Sequence, residues 1–211
     1  IKVNKMNYGL NAGADVQAVG VEYTPSGIQF AVQNKEQRVV IRSKLVGAYN
    51  VSNCLAAYCV TVYGLGISPE IAALGISALV GIPGRMERID MGQNFTVIVD
   101  FAHTPNALKS ALEAGRTMSK GRLISVFGSA GLRDKEKRRM MAETSAELAD
   151  LTVLTAEDPR TESLDGILEE MADGARSKGG REGETFWRVP DRGDAIRFAL
   201  KLAQPGDIVM A

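Results

Sequence analysis

The sequence predicts an α/β fold whose larger, second part is a doubly wound, mostly parallel sheet. Three observations predict it. Short β-branched runs recur from Thr96 onward, an amphipathic stretch of helical length follows each, and turns rich in glycine, proline or charge separate them. Strands that alternate with helices need crossover connections, which place a parallel sheet between two helical layers.

The first elements read differently. Val16 to Tyr23 alternates like a strand, the turn Thr24-Pro25-Ser26-Gly27 follows, and Ile28 to Gln33, a polar turn and Arg38 to Ser43 complete an antiparallel set. The period then changes. Asn50 to Tyr63 is apolar with small residues and stops at Gly64, as a buried helix does. Ser68, Pro69 and Glu70 read as N-cap, first helical position and acidic first turn of a second helix running to about Val80. Gly81-Ile82-Pro83-Gly84 suits neither helix nor strand, so the expected boundary separates residues 1–82 from 83–211.

Beyond it, strands are expected at Thr96–Asp100, Leu123–Phe127, Leu151–Thr155, Thr185–Val189 and Ile208–Ala211. Helices are expected from Thr104-Pro105 to Met118, Asp134 to Ala149, Ser163 to Ala175 and Asp194 to Ala203, with Ser177–Glu184 a polar loop.

Composition narrows the function classes. The chain is 45% hydrophobic and 24% charged, with 25 basic residues against 25 acidic, which gives no electrostatic case for nucleic acid or an anionic membrane surface. No apolar run nears the ~18 residues of a membrane span, and no basic-then-apolar leader opens the chain, so the cytoplasm is expected. The first residue is Ile1 rather than Met, which suggests that a natural start lies upstream. Cys54 and Cys59 are five apart in a helix and read as buried free thiols, too few for a structural zinc site; no metal ligands are assigned.

In an open parallel sheet, ligands bind beyond the carboxyl ends of the strands. The segments that fall there are Asp100-Phe101-Ala102-His103-Thr104-Pro105, Gly128 to Asp134, Glu157-Asp158-Pro159-Arg160 and Pro190-Asp191-Arg192. They are charged and glycine-bearing, which suits an anionic or zwitterionic ligand. Taken singly, each has a plainer reading: Asp100 as a helix cap, His103 as a hydrogen-bonding residue at a helix start. Arg133, Lys135, Lys137, Arg138 and Arg139 read as a solvated helix face, although cations at a helix N-terminus oppose its dipole unless an anion sits nearby. Arg160 follows a stiff proline and offers a guanidinium that can grip a carboxylate bidentately. No phosphate-binding Gly-x-x-x-x-Gly-Lys-Ser/Thr loop, complete dinucleotide fingerprint or nucleophile triad is present.

Taken together, several segments resemble the Mur ligases, in particular those that add the third residue to UDP-N-acetylmuramoyl-dipeptide. They are Gly47-Ala48-Tyr49-Asn50-Val51-Ser52-Asn53, Pro83-Gly84-Arg85-Met86-Glu87, Val99 to Pro105, Phe127-Gly128 with Arg133-Asp134-Lys135, Glu157 to Arg160, and Asp191-Arg192. They run in order over the whole chain. The resemblance implies that 1–82 is the tail of a central ATP-binding domain and 83–211 most of a Rossmann-like, amino-acid-binding carboxyl-terminal domain. It also implies a phosphate loop, magnesium ligands and further domains of the same chain upstream of Ile1, and a Gly-Lys-Gly-His-Glu turn after Ala211. The implied reaction is ATP-dependent amide formation through an acyl phosphate in peptidoglycan synthesis.

Carried over by position, Asn53 matches a residue near adenine and Arg85 a hinge arginine on nucleotide phosphate. Asp100 matches a nucleotide-holding aspartate, with His103 in the same catalytic loop. Arg133, Glu157, Asp158, Pro159 and Arg160 match the amino-acid site. Glu157-Asp158 stands where the family has Asp-Asn, adding a negative charge that favours a diamino acid; the arginine favours diaminopimelate over lysine. Ser129-Ala130-Gly131-Leu132 departs from a more glycine-rich loop. The alternatives are a paralogous amide ligase of the cyanophycin or folylpolyglutamate synthetase kind, or a non-catalytic binding module. Without a triphosphate cradle among the 211 residues, the purified chain is expected to release no ADP from ATP; steady ADP production in a coupled assay contradicts this.

Overall fold

A computed structural model gives the fold, describing residues 5–24, 26–34, 37–118 and 120–211. The chain divides into two compact units, Ile1–Ile82 and Pro83–Ala211.

In the first unit the strands β1 (Tyr8–Gly9), β2 (Val16–Thr24), β3 (Gly27–Gln33) and β4 (Arg38–Ser43) form a sheet in that order. β1 runs parallel to β2, while β2–β3 and β3–β4 are antiparallel. Alternation puts Ile28, Phe30 and Val32 on one face, where they meet Val16, Ala18 and Ile41. Helices α1 (Tyr49–Cys59) and α2 (Pro69–Ala78) cover that face with Val51, Cys54, Leu55, Tyr58, Ala72 and Ala73. Both cysteines are buried and free, and burial pushes their thiols up. Pro25 of the expected first turn and residues 35–36 of the second lie outside the described residues.

Two helix expectations need adjustment. The α-helical hydrogen bonding that was expected through Tyr63 ends at Cys59, and the chain continues to Gly64 as a wider π turn. α2 starts as read, with Ser68 Oγ accepting from Ile71 N at 3.4 Å, but stops at Ala78 rather than Val80.

The second unit holds β5 (Glu87–Ile89), β6 (Thr96–Val99), α3 (Pro105–Met118), β7 (Leu123–Ser129), α4 (Lys135–Leu148), β8 (Leu151–Ala156), α5 (Leu164–Ser177), β9 (Phe186–Arg188), α6 (Arg192–Leu202) and β10 (Ile208–Met210). The sheet order is β5-β6-β10-β7-β8-β9, all parallel except β5, which pairs antiparallel with β6 at the edge. The sequence reading missed β5, whose Glu87-Arg88-Ile89 lacks the apolar run by which the equally short β9 and β10 are legible. Ile124, Val126, Val153 and Val209 pack against Ala195 and Ala199 of α6. The alternate residues Leu123, Phe127, Leu154, Ile208 and Met210 are buried as well. Met210 lies so close to α3 that a Cβ on Gly115 would sit 2.9 Å from its methyl. Burial on both faces explains why these strands read as continuous apolar runs.

β10 enters last in sequence but sits between β6 and β7. Its approach is fixed by Asp207, 4% exposed, which accepts bonds from Arg122 N (2.8 Å), Arg122 Nε (3.0 Å), Arg122 Nη2 (2.7 Å) and Gln204 N (2.8 Å). Burial alone would raise the Asp207 carboxyl, but the Arg122 and backbone donors outweigh it and leave it below the ordinary value. A depressed carboxyl contributes stability above the unfolded-state pKa, and that contribution fades as pH falls through the folded one. Asp207→Asn is therefore expected to destabilise the protein by about 1–3 kcal/mol at pH 7. The loss should shrink on acidification below about pH 4, as urea melts at several pH values will read; a pH-independent loss contradicts the assignment.

Candidate functional site

β6 leads through α3 to β7, skipping the position that β10 fills, whereas β9 leads back through α6 to β10. The crossover connections thus step across the sheet in opposite directions at β10, a switch point beyond whose strand ends a crevice is expected. A cavity of about 320 Å³ occupies it, within the size range of small-molecule sites. Leu108, Val126, Phe127 and Met210 supply its apolar lining, and Asp100, His103, Glu157 and Arg192 its charged and polar groups.

The β6 side of the crevice is built by a short exchange of bonds. Asp100 does not cap α3; Thr104 does, its Oγ1 accepting from Ala107 N at 3.2 Å. The Asp100 carboxylate instead accepts from Met86 N at 2.8 Å, while Phe101 N donates to Gly84 O at 2.9 Å. Gly84 (φ +66°) and Met86 (φ +49°) are both left-handed there, and Gly84 N donates to Glu87 Oε2 at 2.7 Å. The tight loop leaves Arg85 exposed, its guanidinium 4.9 Å from the centre of the Phe101 ring. On Phe101 the His103 ring packs at 5.0 Å, and His103 Nδ1 lies 3.1 Å from Phe101 O. Arg85, Asp100 and His103 are thus gathered around one exposed phenylalanine.

On the other side, two loops are locked together. Gly131 N donates to Asp158 O at 2.7 Å, and a Cβ on Gly131 would lie 2.0 Å from Pro159 O, so only glycine allows this approach. The expected solvated face of α4 is corrected at Arg138, which is 1% exposed. Its guanidinium donates to Ala130 O (3.2 Å), to Glu170 Oε2 (2.8 Å) and to Glu162, tying the β7–α4 loop to the start of α5. Burial opposes the charge on Arg138, but its two glutamates outweigh that and raise its pKa; hydrogen bonding from Arg138 holds Glu162 below the ordinary carboxylate range. The basic run gave no signal for this, because an inward-pointing arginine at one helical position is invisible in composition.

The expected site residues therefore divide. Asp100, His103 and Glu157 line the crevice, and so does Arg192, from the rim segment that follows β9. Arg133, Asp158, Pro159 and Arg160 stand beside it on the locked loops and are outside its lining. Arg160 takes a left-handed backbone (φ +52°), with its N donating to Asp158 Oδ1 at 3.2 Å and its Nε 3.7 Å from Asp158 Oδ2. Asp191 caps α6 by accepting from Asp194 N at 2.8 Å, so that helix starts at Arg192 and not at Asp194 as read. Asn53 lies in the first unit on the exposed side of α1, its Nδ2 donating to Asn50 Oδ1 at 2.9 Å. Among the described residues no group of three His, Cys, Asp or Glu is placed to hold a metal ion, and no helix is long and apolar enough to cross a membrane.

Comparison with known proteins gives consistent matches. The family profile "Mur ligase, glutamate ligase domain" matches residues 84–211, and "Mur ligase middle domain" matches residues 1–61. A UDP-N-acetylmuramyl-tripeptide synthetase of Roseiflexus sp. (strain RS-1) is 41% identical over all of this chain and 41% of its own length. A UDP-N-acetylmuramoyl-L-alanyl-D-glutamate--2,6-diaminopimelate ligase of Solibacter usitatus (strain Ellin6076) is 39% identical over 99% of this chain and 41% of its own. A solved structure of a ligase with the latter name superposes at TM-score 0.61 with 31% identity, covering 97% of this chain and 41% of that one. The chain thus spans about two fifths of the length of these relatives.

Replacing Arg138 by Met is expected to leave Glu162 and Glu170 without their shared cation and to loosen both loops. A fall of roughly 5–10 °C in melting temperature should follow by circular dichroism; an unchanged melting temperature rules out the tie.

Proposed function

Because the chain belongs to the Mur ligase family, we propose that it supplies the amino-acid-binding domain, and the end of the ATP-binding domain, of a ligase that extends UDP-N-acetylmuramoyl-dipeptide. The added residue is a diamino acid, with diaminopimelate favoured. The observation that carries the reading is the crevice at the switch point between β6 and β7, where Asp100, His103, Glu157 and Arg192 line a cavity of small-molecule size.

The chemistry divides between the two sides of that crevice. ATP acts as co-substrate and delivers a phosphoryl group to the dipeptide carboxylate; an amine then displaces phosphate to give an amide, ADP and phosphate. Such a reaction depends on positioning and on neutralising phosphoryl oxygens. Arg85, held in its tight loop by the Asp100–Met86 bond, is assigned to phosphate and Asp100 to the nucleotide. His103 belongs to the same loop, and Asn53 is assigned to adenine. The locked loops carrying Arg133, Glu157, Asp158, Pro159 and Arg160 are assigned to the amino acid. The acidic pair Glu157-Asp158 suits a substrate carrying a second ammonium group. Magnesium, which takes oxygen ligands, is assigned as the companion of ATP, with its protein ligands upstream of Ile1. The protein is assigned to the cytoplasm, with no nucleic-acid or membrane partner.

The test is ADP release by the product of the complete gene with UDP-N-acetylmuramoyl-dipeptide, ATP and magnesium. Release is expected with diaminopimelate or a related diamino acid. No release with any amino acid, by an enzyme shown to bind ATP, removes the assignment.

A further inference from the structure

Arg85 is the cation assigned to phosphate, yet its side chain has little to hold it. Among the described residues its guanidinium makes no ion pair or hydrogen bond, and it rests only on the ring of Phe101, which is itself 61% exposed. An arginine with so few contacts keeps much of its rotamer freedom, so the backbone that carries it sets where the guanidinium can reach.

That backbone is not one a chain adopts freely. Gly84 and Met86, on either side of Arg85, are both left-handed, at φ +66° and +49°. Glycine reaches that region without steric cost, whereas Met86 carries a side chain, and a buried one. A loop bent this way persists only where its surroundings hold it. Two restraints come from the end of β6, where Asp100 accepts from Met86 N and Phe101 N donates to Gly84 O. The third comes from the loop's own exit. Glu87 opens β5 in register with Val99, and its Oε2 turns back past Arg85 and Met86 to accept from Gly84 N at 2.7 Å. Glu87 is half-buried and has no ion pair among the described residues, so its carboxylate is committed to that backbone amide. A bond to an ionised acceptor is roughly twice as strong as a neutral one.

We propose that Glu87 is a positioning residue for Arg85: by fixing Gly84 it closes the loop and aims the guanidinium at the phosphoryl oxygens that Arg85 is assigned to neutralise. Glu87 is not part of the crevice lining and acts only through the arginine. This rests on the ligase reading above and deepens it. A cation already in place stabilises developing charge without reorganising during the reaction, so slack in this loop lowers the rate.

The test is a double-mutant cycle on the product of the complete gene. It is read as kcat/KM for ATP from ADP release with UDP-N-acetylmuramoyl-dipeptide, diaminopimelate and magnesium. Glu87→Ala should lower kcat/KM by about tenfold to a hundredfold. Glu87→Gln keeps an oxygen that can accept from Gly84 N and should recover most of that loss. In an Arg85→Ala background, Glu87→Ala should cost less than about threefold more, because no guanidinium is left to place. A merely structural role gives losses that multiply and no recovery in Glu87→Gln. Hydrogen exchange in the 211-residue chain supplies a second readout. The Gly84 amide should exchange faster in Glu87→Ala than in the wild type or Glu87→Gln, with the amides of β7 and β8 still protected. Unchanged kcat/KM in Glu87→Ala, losses that multiply in the double variant, or Gly84 exchange as slow as in the wild type each overturns the proposal and leaves the ligase reading intact. A wild type that releases no ADP with any amino acid removes the ligase reading, and the proposal with it.

Discussion

The crevice exists because β10 enters the sheet between β6 and β7. Without that insertion β6 and β7 would lie side by side, α3 would join neighbouring strands, and the connections would not change direction across the sheet there. The insertion is secured by the buried Asp207: its carboxylate gathers four donors from Arg122, just before β7, and from Gln204, while its carbonyl accepts from Thr96 N of β6 at 2.9 Å. A three-residue strand contributes few ladder bonds of its own, so this charge-assisted anchor is what holds its register. The opening of the crevice, its apolar lining and the spacing of the loops around it all depend on that placement.

Around the crevice, rigidity is supplied by polar contacts of two kinds. The Asp100–Met86 and Phe101–Gly84 bonds hold the loop bearing Arg85 against the end of β6. Arg138, with Glu162, Glu170 and Ala130, holds the β7–α4 loop against the β8–α5 turn. Satisfying these groups internally leaves Glu157, Arg192 and the exposed Arg85–Phe101–His103 cluster as the surface toward a ligand.

Much of this was legible in the sequence. The alternation of β-branched runs with amphipathic stretches determined the α/β class and most strands and helices of the second unit, because burial on both faces makes parallel strands apolar throughout and helices periodic. The polar segments after β6, β7, β8 and β9 fell at the strand ends where an open sheet binds ligands, so the neighbourhood of the candidate site was legible before any geometry. The ordered motifs from Gly47 to Arg192 carried the family resemblance.

Other features were decided only by tertiary structure. β5, with two charged residues in three, left no apolar signal, and its place at the edge follows from pairing with β6. Nothing local in Ile208–Met210 says that it pairs between β6 and β7, since strand order is a long-range property. Arg138 looked like one basic residue among five, and only the approach of α5 turned it inward to two glutamates. Arg133 and Arg160 follow the right strands, but the close packing of Gly131 on Pro159 sets their loops beside the crevice and leaves its inner charge to Glu157 and Arg192. Sequence pattern reports which groups reach the rim of the sheet; which of them find partners there, and which stay free for a ligand, depends on contacts between segments distant in the chain.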